Sequence, residues 1–81
     1  MTQKEDKNKQ IHINVTSQNY EDLIFKIKLN TKFKKLFDKY YQKFNIEDKD
    51  SVRFIYDGEP INEDQTPESI NIGPGEVIEC V

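Results

Sequence analysis

An α+β domain, with one amphipathic helix laid across a mixed β-sheet, is predicted by three observations. Apolar residues alternate singly at Ile11, Ile13 and Val15, and again at Phe25, Ile27 and Leu29. The period then lengthens, and Phe33, Leu36, Phe37, Tyr40 and Phe44 recur at helical spacing. Alternation returns at Val52, Phe54 and Tyr56 and once more near the end, at Ile78 and Cys80. The order is strand, strand, helix, strand, short strand, strand. It supplies one apolar helical stripe and one apolar sheet face, which can bury each other.

Each element has its own signals. In the first strand His12, Asn14 and Thr16 take the outer face, and Ser17 to Asp22 supply turn chemistry for a hairpin. The second strand turns Ile24, Lys26 and Lys28 away from Phe25, Ile27 and Leu29. Thr31 is the expected N-cap of the helix, and Asn45, a residue tolerant of left-handed backbone, its expected stop. A third strand follows the loop Glu47 to Ser51, turns at Asp57-Gly58-Glu59-Pro60, and leads to a short edge strand near Ile61, since proline cannot donate within a sheet. Thr66-Pro67-Glu68 predicts a short helical turn, and Gly73-Pro74-Gly75 a sharp one. The last strand, Val77 to Val81, is too far along the chain from the third for a simple hairpin and is expected to pair centrally.

Composition bounds the function. The 81 residues allow one small domain. Residues 1–10, MTQKEDKNKQ, lack aliphatic and aromatic residues after Met1 and predict a disordered tail before a domain over 11–81. A net charge of -3 opposes bulk attraction to nucleic acid or an anionic membrane, although lysines crowd residues 26–43. One cysteine permits no internal disulfide, and no apolar run approaches the length of a membrane helix, so a soluble intracellular protein is expected.

The element order, with several local strings, resembles the ubiquitin-like β-grasp fold of the SUMO family. Ile24-Phe25-Lys26-Ile27-Lys28 is similar to the second SUMO strand, and Phe33-Lys34-Lys35-Leu36 through Tyr40 to its helix. Arg53-Phe54-Ile55-Tyr56-Asp57-Gly58, Pro60-Ile61, Thr66-Pro67 and Val77-Ile78-Glu79 follow collinearly. Three features depart from the family pattern. The loop Glu47 to Ser51 is about one residue longer than usual, Gly73-Pro74-Gly75 replaces an acidic cluster and leaves Glu76, and the sequence stops at Val81 where the family continues to Gly-Gly.

The resemblance implies two docking sites. One is a groove between the second strand and the helix, formed by Phe25, Lys26, Ile27, Lys28, Lys35, Leu36, Tyr40 and Lys43, for short aliphatic motifs with acidic flanks. An exposed strand edge can accept such a peptide as an added strand, and the lysines would attract its flanks. Phe25, Ile27 and Leu36 would equally be core residues in any domain of this fold. The second is an acidic surface of Asp57, Gly58, Glu59, Glu76 and Glu79, implied to dock the conjugating enzyme; as turn residues and solvated carboxylates they would need no partner.

The implied function is that of a protein modifier joined to target lysines when its full tail is present. The alternative is a SUMO-like interaction domain that is never conjugated. Val81 follows the last strand directly, so a tail removed from this sequence is the favoured expectation. Implied partners are the SUMO activating and conjugating enzymes, SUMO proteases, substrate proteins and proteins bearing SUMO-interacting motifs, met by a monomer in nucleus and cytoplasm. Lys4, Lys7 and Lys9 could accept a further modifier, although Gln3 breaks the acceptor pattern and solubility explains them equally.

No catalysis, metal or cofactor is expected. Cys80 and His12 lack an orienting third group, and one histidine with one cysteine falls short of a metal site. A nucleic-acid face would rest on the helix lysines, but the aromatic stripe is needed for the core rather than for stacking on bases.

Overall fold

In a computed structural model, which describes residues 9–81, the predicted order is present. Strands β1 (Gln10–Ser17) and β2 (Leu23–Lys28) form the hairpin, α1 spans Phe33–Phe44, and β3 (Phe54–Tyr56), β4 (Glu59–Pro60) and β5 (Val77–Cys80) complete the sheet. The spatial order is β2-β1-β5-β3-β4, with β1 and β5 parallel and the other pairs antiparallel. The last strand is therefore central, and β2 is an open edge.

Alternation sets the faces. Ile11, Ile13, Val15, Ile27, Ile78, Cys80 and Phe54 are buried under the helix, whereas His12, Lys26, Val77 and Glu79 face outward. The helical stripe meets this layer through Phe33, Leu36, Phe37 and Tyr40. Phe37 stacks on Phe54 with ring centroids 4.1 Å apart and planes 8° from parallel, and Tyr40 meets Phe54 edge-on at 5.4 Å. Truncating an aromatic side chain in such a cluster typically costs about 3–5 kcal/mol.

Four local expectations are corrected. Thr31 does not cap α1: Lys32 holds the N-cap position without a side-chain bond. The first helical amides are instead satisfied by distant backbone, Phe33 N–H donating to the Gln65 carbonyl at 2.8 Å and Lys34 N–H to that of Glu63 at 3.0 Å. The third strand begins at Phe54 rather than Val52, although Arg53 and Val81 exchange two backbone hydrogen bonds of 2.8 Å beside it. The edge strand is Glu59–Pro60 itself, because Asp57 and Gly58, both with positive φ (54° and 80°), close a two-residue hairpin turn directly after Tyr56. Finally, order begins before Ile11: Gln10 pairs with Lys28, and the Lys9 carbonyl accepts from Leu29 N–H. The rest of the expected tail, with Lys4 and Lys7, lies outside the described residues.

Other signals hold. Asn45 ends α1 in the left-handed conformation, φ 54° and ψ 43°. Thr66 and Ser69 cap each other's amides reciprocally at 2.9 and 3.1 Å, tightening the turn that Pro67 anchors in the interior. The loop Glu47 to Ser51 contains a short 3₁₀ turn, Lys49–Ser51, begun by the Asp48 carboxylate accepting from Asp50 N–H.

Tyr40 brings a polar atom into the core. It is fully buried, and among the described residues its hydroxyl makes no hydrogen bond of good geometry, with the Cys80 thiol and Ser17 nearby. Burial, with the nearby Cys80 thiol, pushes its pKa up to about 12. The phenol stays neutral in the fold at pH values where it ionises in the unfolded chain. Its contribution is therefore complete below the ordinary value of 10.0 and is lost as pH rises toward about 12. Replacing Tyr40 by Phe should leave stability near neutral pH unchanged or raise it by about 1 kcal/mol, since an orphaned hydroxyl is removed. The same variant should lose less stability than the parent between roughly pH 10 and 12. Urea unfolding across that range checks both; a loss above about 1 kcal/mol at neutral pH would show that the hydroxyl is satisfied.

Candidate functional site: an edge groove and an acidic end

β2 is the longer of the sheet's two edge strands, and α1 crosses beside it. Between them lies a half-open groove of about 130 Å³, lined by Gln10, Phe25, Lys26, Ile27, Lys28, Thr31, Lys35, Leu36 and Lys39. Its floor is apolar: Ile27 and Leu36 are buried and Phe25 is half-buried. Its rim is cationic. Among the described residues ion pairs occupy Lys32, Lys34 and Lys49, whereas Lys26, Lys28, Lys35 and Lys39 have none. Four unneutralised cations around an apolar slot favour a ligand that is aliphatic in the middle and anionic at its flanks.

Six of the eight residues expected at this groove line it. Tyr40 does not, being fully buried beneath it with its ring 6.3 Å from that of Phe25. Lys43 is exposed in the last helical turn but falls outside the lining. There the helix is covered by Tyr20, which stacks on Phe44 at 4.7 Å. Lys39, one turn after Lys35 on the same helical face, takes the place expected of Lys43. The i, i+4 spacing from Lys35 was the signal for it. Gln10 and Thr31 carried no such signal, because hairpin register and helix entry bring them there.

The acidic residues lie at the other side of the sheet. Asp57, Gly58 and Glu59 form the β3–β4 turn. The antiparallel β3–β5 register carries Glu76 to the same end, where Tyr56 Oη donates to its carboxylate at 2.7 Å. That bond pushes the Tyr56 phenol pKa up. Glu79 sits further along β5 on the outer face, paired with Ile55 and Thr16.

A family model described as ubiquitin-2 like Rad60 SUMO-like matches residues 11–81. The ubiquitin-like protein pmt3/smt3 of Schizosaccharomyces pombe is 39% identical over 88% of this chain and 60% of its own length. Small ubiquitin-related modifier 2 of Arabidopsis thaliana is 30% identical over 96% of this chain and 75% of its own. The small ubiquitin-related modifier of Caenorhabditis elegans is 33% identical over 85% and 75%. A solved structure described as "Molecular Mimicry of SUMO promotes DNA repair" superposes with a TM-score of 0.77, at 22% identity, over 90% of this chain and 91% of that one.

The chain belongs to the SUMO-like family of ubiquitin-like proteins. Its five-stranded mixed sheet with one crossing helix is the β-grasp fold that the sequence implied. The chain spans 60% of the length of its fission-yeast relative. The plant and nematode relatives are named as modifiers. Among the described residues His12 faces outward while Cys80 is buried on the opposite face, so the two do not form a nucleophile–base pair. Burial raises the Cys80 thiol pKa, which suppresses the reactive thiolate. Among the described residues no cluster of His, Cys, Asp and Glu could hold a metal ion, and no helix is long and apolar enough to cross a membrane.

The rim geometry separates the two distal helix lysines. Lys39→Glu should weaken binding of an aliphatic peptide with acidic flanks roughly five- to tenfold, whereas Lys43→Glu should change it less than about twofold. Isothermal titration of both variants checks this; equal losses would place Lys43 at the ligand too.

Proposed function

We propose that this domain is a SUMO-type docking module that binds short aliphatic motifs with acidic or phosphorylated flanks along β2. It acts as a covalent modifier of target lysines when a Gly-Gly tail follows the domain. The observation that carries the docking role is the open β2 edge beside an apolar groove whose four rim lysines have no ion pair among the described residues. A peptide strand would satisfy the edge's backbone groups while its side chains enter the groove. So small a site gives weak, micromolar binding, strengthened by multivalent partners. In this reading the acidic end, Asp57, Gly58, Glu59 and Glu76 with Glu79, meets a basic face of the conjugating enzyme. The activating enzyme, SUMO proteases and substrate proteins are further partners, in nucleus and cytoplasm. Kinship with the fission-yeast, plant and nematode modifiers supports these assignments.

One observation favours the alternative of a SUMO-like interaction domain that is never conjugated: the matching family model is the Rad60 SUMO-like one. A conjugation assay on the full-length gene product, with activating and conjugating enzymes and ATP, separates the two. A covalent adduct supports the modifier; docking without adduct supports the interaction domain.

For the groove itself, a peptide with an aliphatic core and acidic flanks should bind in the micromolar range. Binding should weaken several-fold between roughly 50 and 500 mM salt, and when the flanking acids become amides. Absence of binding, or binding indifferent to both changes, contradicts the proposal.

A further inference from the structure

The flank of α1 away from β2 carries a concavity of its own. It opens between the helix and β3, about 530 Å³ in volume, over buried Phe37, Phe54 and Ile61. A second cavity of about 360 Å³ adjoins it at the end of the helix, and both are lined by Asp38, Tyr41 and Lys49. Neither shares a residue with the β2 groove or with the acidic end. The balance of charge here is negative: Asp38, Glu47, Asp50 and Glu63 stand against Lys49 and Arg53. An added strand cannot be the ligand, because Pro60 of the edge strand β4 has no N–H and Ile61 N–H already bonds the Phe54 carbonyl at 2.8 Å. Whatever binds this flank is held by side chains.

Where the two cavities meet, the protein seats a cation of its own. The Lys49 ammonium lies 5.3 Å from the centre of the Tyr41 ring and 3.8 Å from the Asp38 carboxylate. Lys49 belongs to the loop Glu47 to Ser51, about one residue longer than the family pattern. Asp48 fixes that loop, its carboxylate accepting from Asp50 N–H at 3.1 Å and its carbonyl from Ser51 N–H at 3.0 Å. Burial and the Asp38 carboxylate push the Tyr41 phenol pKa up, with Cys80, Glu63 and Asp50 adding to them, so the ring stands in a negative field. The seat is nevertheless loosely held. The Lys49 side chain is 60% exposed, and Asp38 is shared with Lys34 at 3.6 Å. A guanidinium fits such a seat better than an ammonium, since its plane can lie on the ring while its N–H edge forks onto the carboxylate.

We propose that this flank is a second docking surface, for a protein segment carrying an arginine beside an aliphatic side chain, and that Lys49 is the stand-in the arginine displaces. The guanidinium takes the place on Tyr41 and Asp38, and Lys49 moves into solvent. The aliphatic neighbour enters the larger cavity against Phe37, Val52 and Ile61. A second copy of this chain fits poorly, because its unpaired lysines rim a groove, and two concave surfaces do not interlock. The two flanks of one helix thus take ligands of opposite charge.

NMR titration at low salt tests this. The probes are two short Gly-Ser peptides with leucine directly before or after a single arginine, and their glutamine counterparts. Each is titrated into the parent, Lys49→Ala, Asp38→Asn and Lys43→Ala, with a thermal melt to verify the fold. The better arginine peptide should shift the amides of Asp38, Tyr41 and residues 49–53, with millimolar affinity. Lys49→Ala should tighten that binding roughly three- to fivefold, and Asp38→Asn should weaken it by at least about threefold. Lys43→Ala removes the same charge outside both cavities and should change it less than about 1.5-fold. The glutamine peptides should leave these amides unshifted. Absence of shifts with both arginine peptides, in the parent and in Lys49→Ala alike, overturns the proposal. So does a Lys49→Ala protein that melts lower and binds no tighter, which makes Lys49 a structural clamp. Shifts at the same amides on concentrating the protein alone assign the flank to a second copy and overturn it as well.

Discussion

The contact on which the rest depends is the stack of Phe37 on Phe54. It ties the helix to β3, on the far side of the sheet from β2, and Tyr40 and Tyr41 add edge contacts to the same Phe54 ring. Against β2 itself the ring contact is looser, with Phe25 and Tyr40 standing 6.3 Å apart, although Tyr20 of the β1–β2 turn stacks on Phe44 at 4.7 Å. Anchored on one side, a single helix cannot cover the whole sheet. What it leaves bare is the β2 edge, with a slot between strand and helix. The groove is therefore a consequence of asymmetric packing rather than a separate construction.

The same asymmetry sorts the charges. The apolar stripe of α1 is committed to the core, so the helix lysines project from its other faces. Some are neutralised: Lys34 and Lys49 both reach Asp38, and Lys32 reaches Asp64. Those facing the slot are not, because no carboxylate lines it among the described residues. Desolvating an exposed ammonium that lacks a partner is costly, so the groove rewards a ligand that brings its own anions. At the opposite end of the sheet the Tyr56–Glu76 bond holds a carboxylate beside the β3–β4 turn. Opposite charges are thus held at opposite edges of one small sheet.

Most of the fold was legible because period-two and helical patterns are local properties. Ile11, Ile13 and Val15, or Leu36 and Phe37, announce their face without knowledge of their partners. Errors arose where a distant segment supplied what a local one was expected to supply. Thr31 was the natural cap by sequence, yet the helix entry is satisfied by carbonyls of Glu63 and Gln65, some thirty residues away. Tyr40 and Lys43 were implied at the groove by the family resemblance. Helical phase alone does not tell how far Tyr20 covers the last turn, or that Tyr40 drops fully beneath the surface.

The central claim, that the open β2 edge is where partners dock, is tested most directly by amide hydrogen exchange with and without a saturating aliphatic peptide bearing acidic flanks. The amides of Ile24 and Lys26, directed at the free edge, should exchange quickly in the free protein and become strongly protected in the complex, while those of Asp57 to Glu59 stay unchanged. Unaltered exchange at Ile24 and Lys26 under saturation, or protection confined to the β3–β4 turn, would contradict the account.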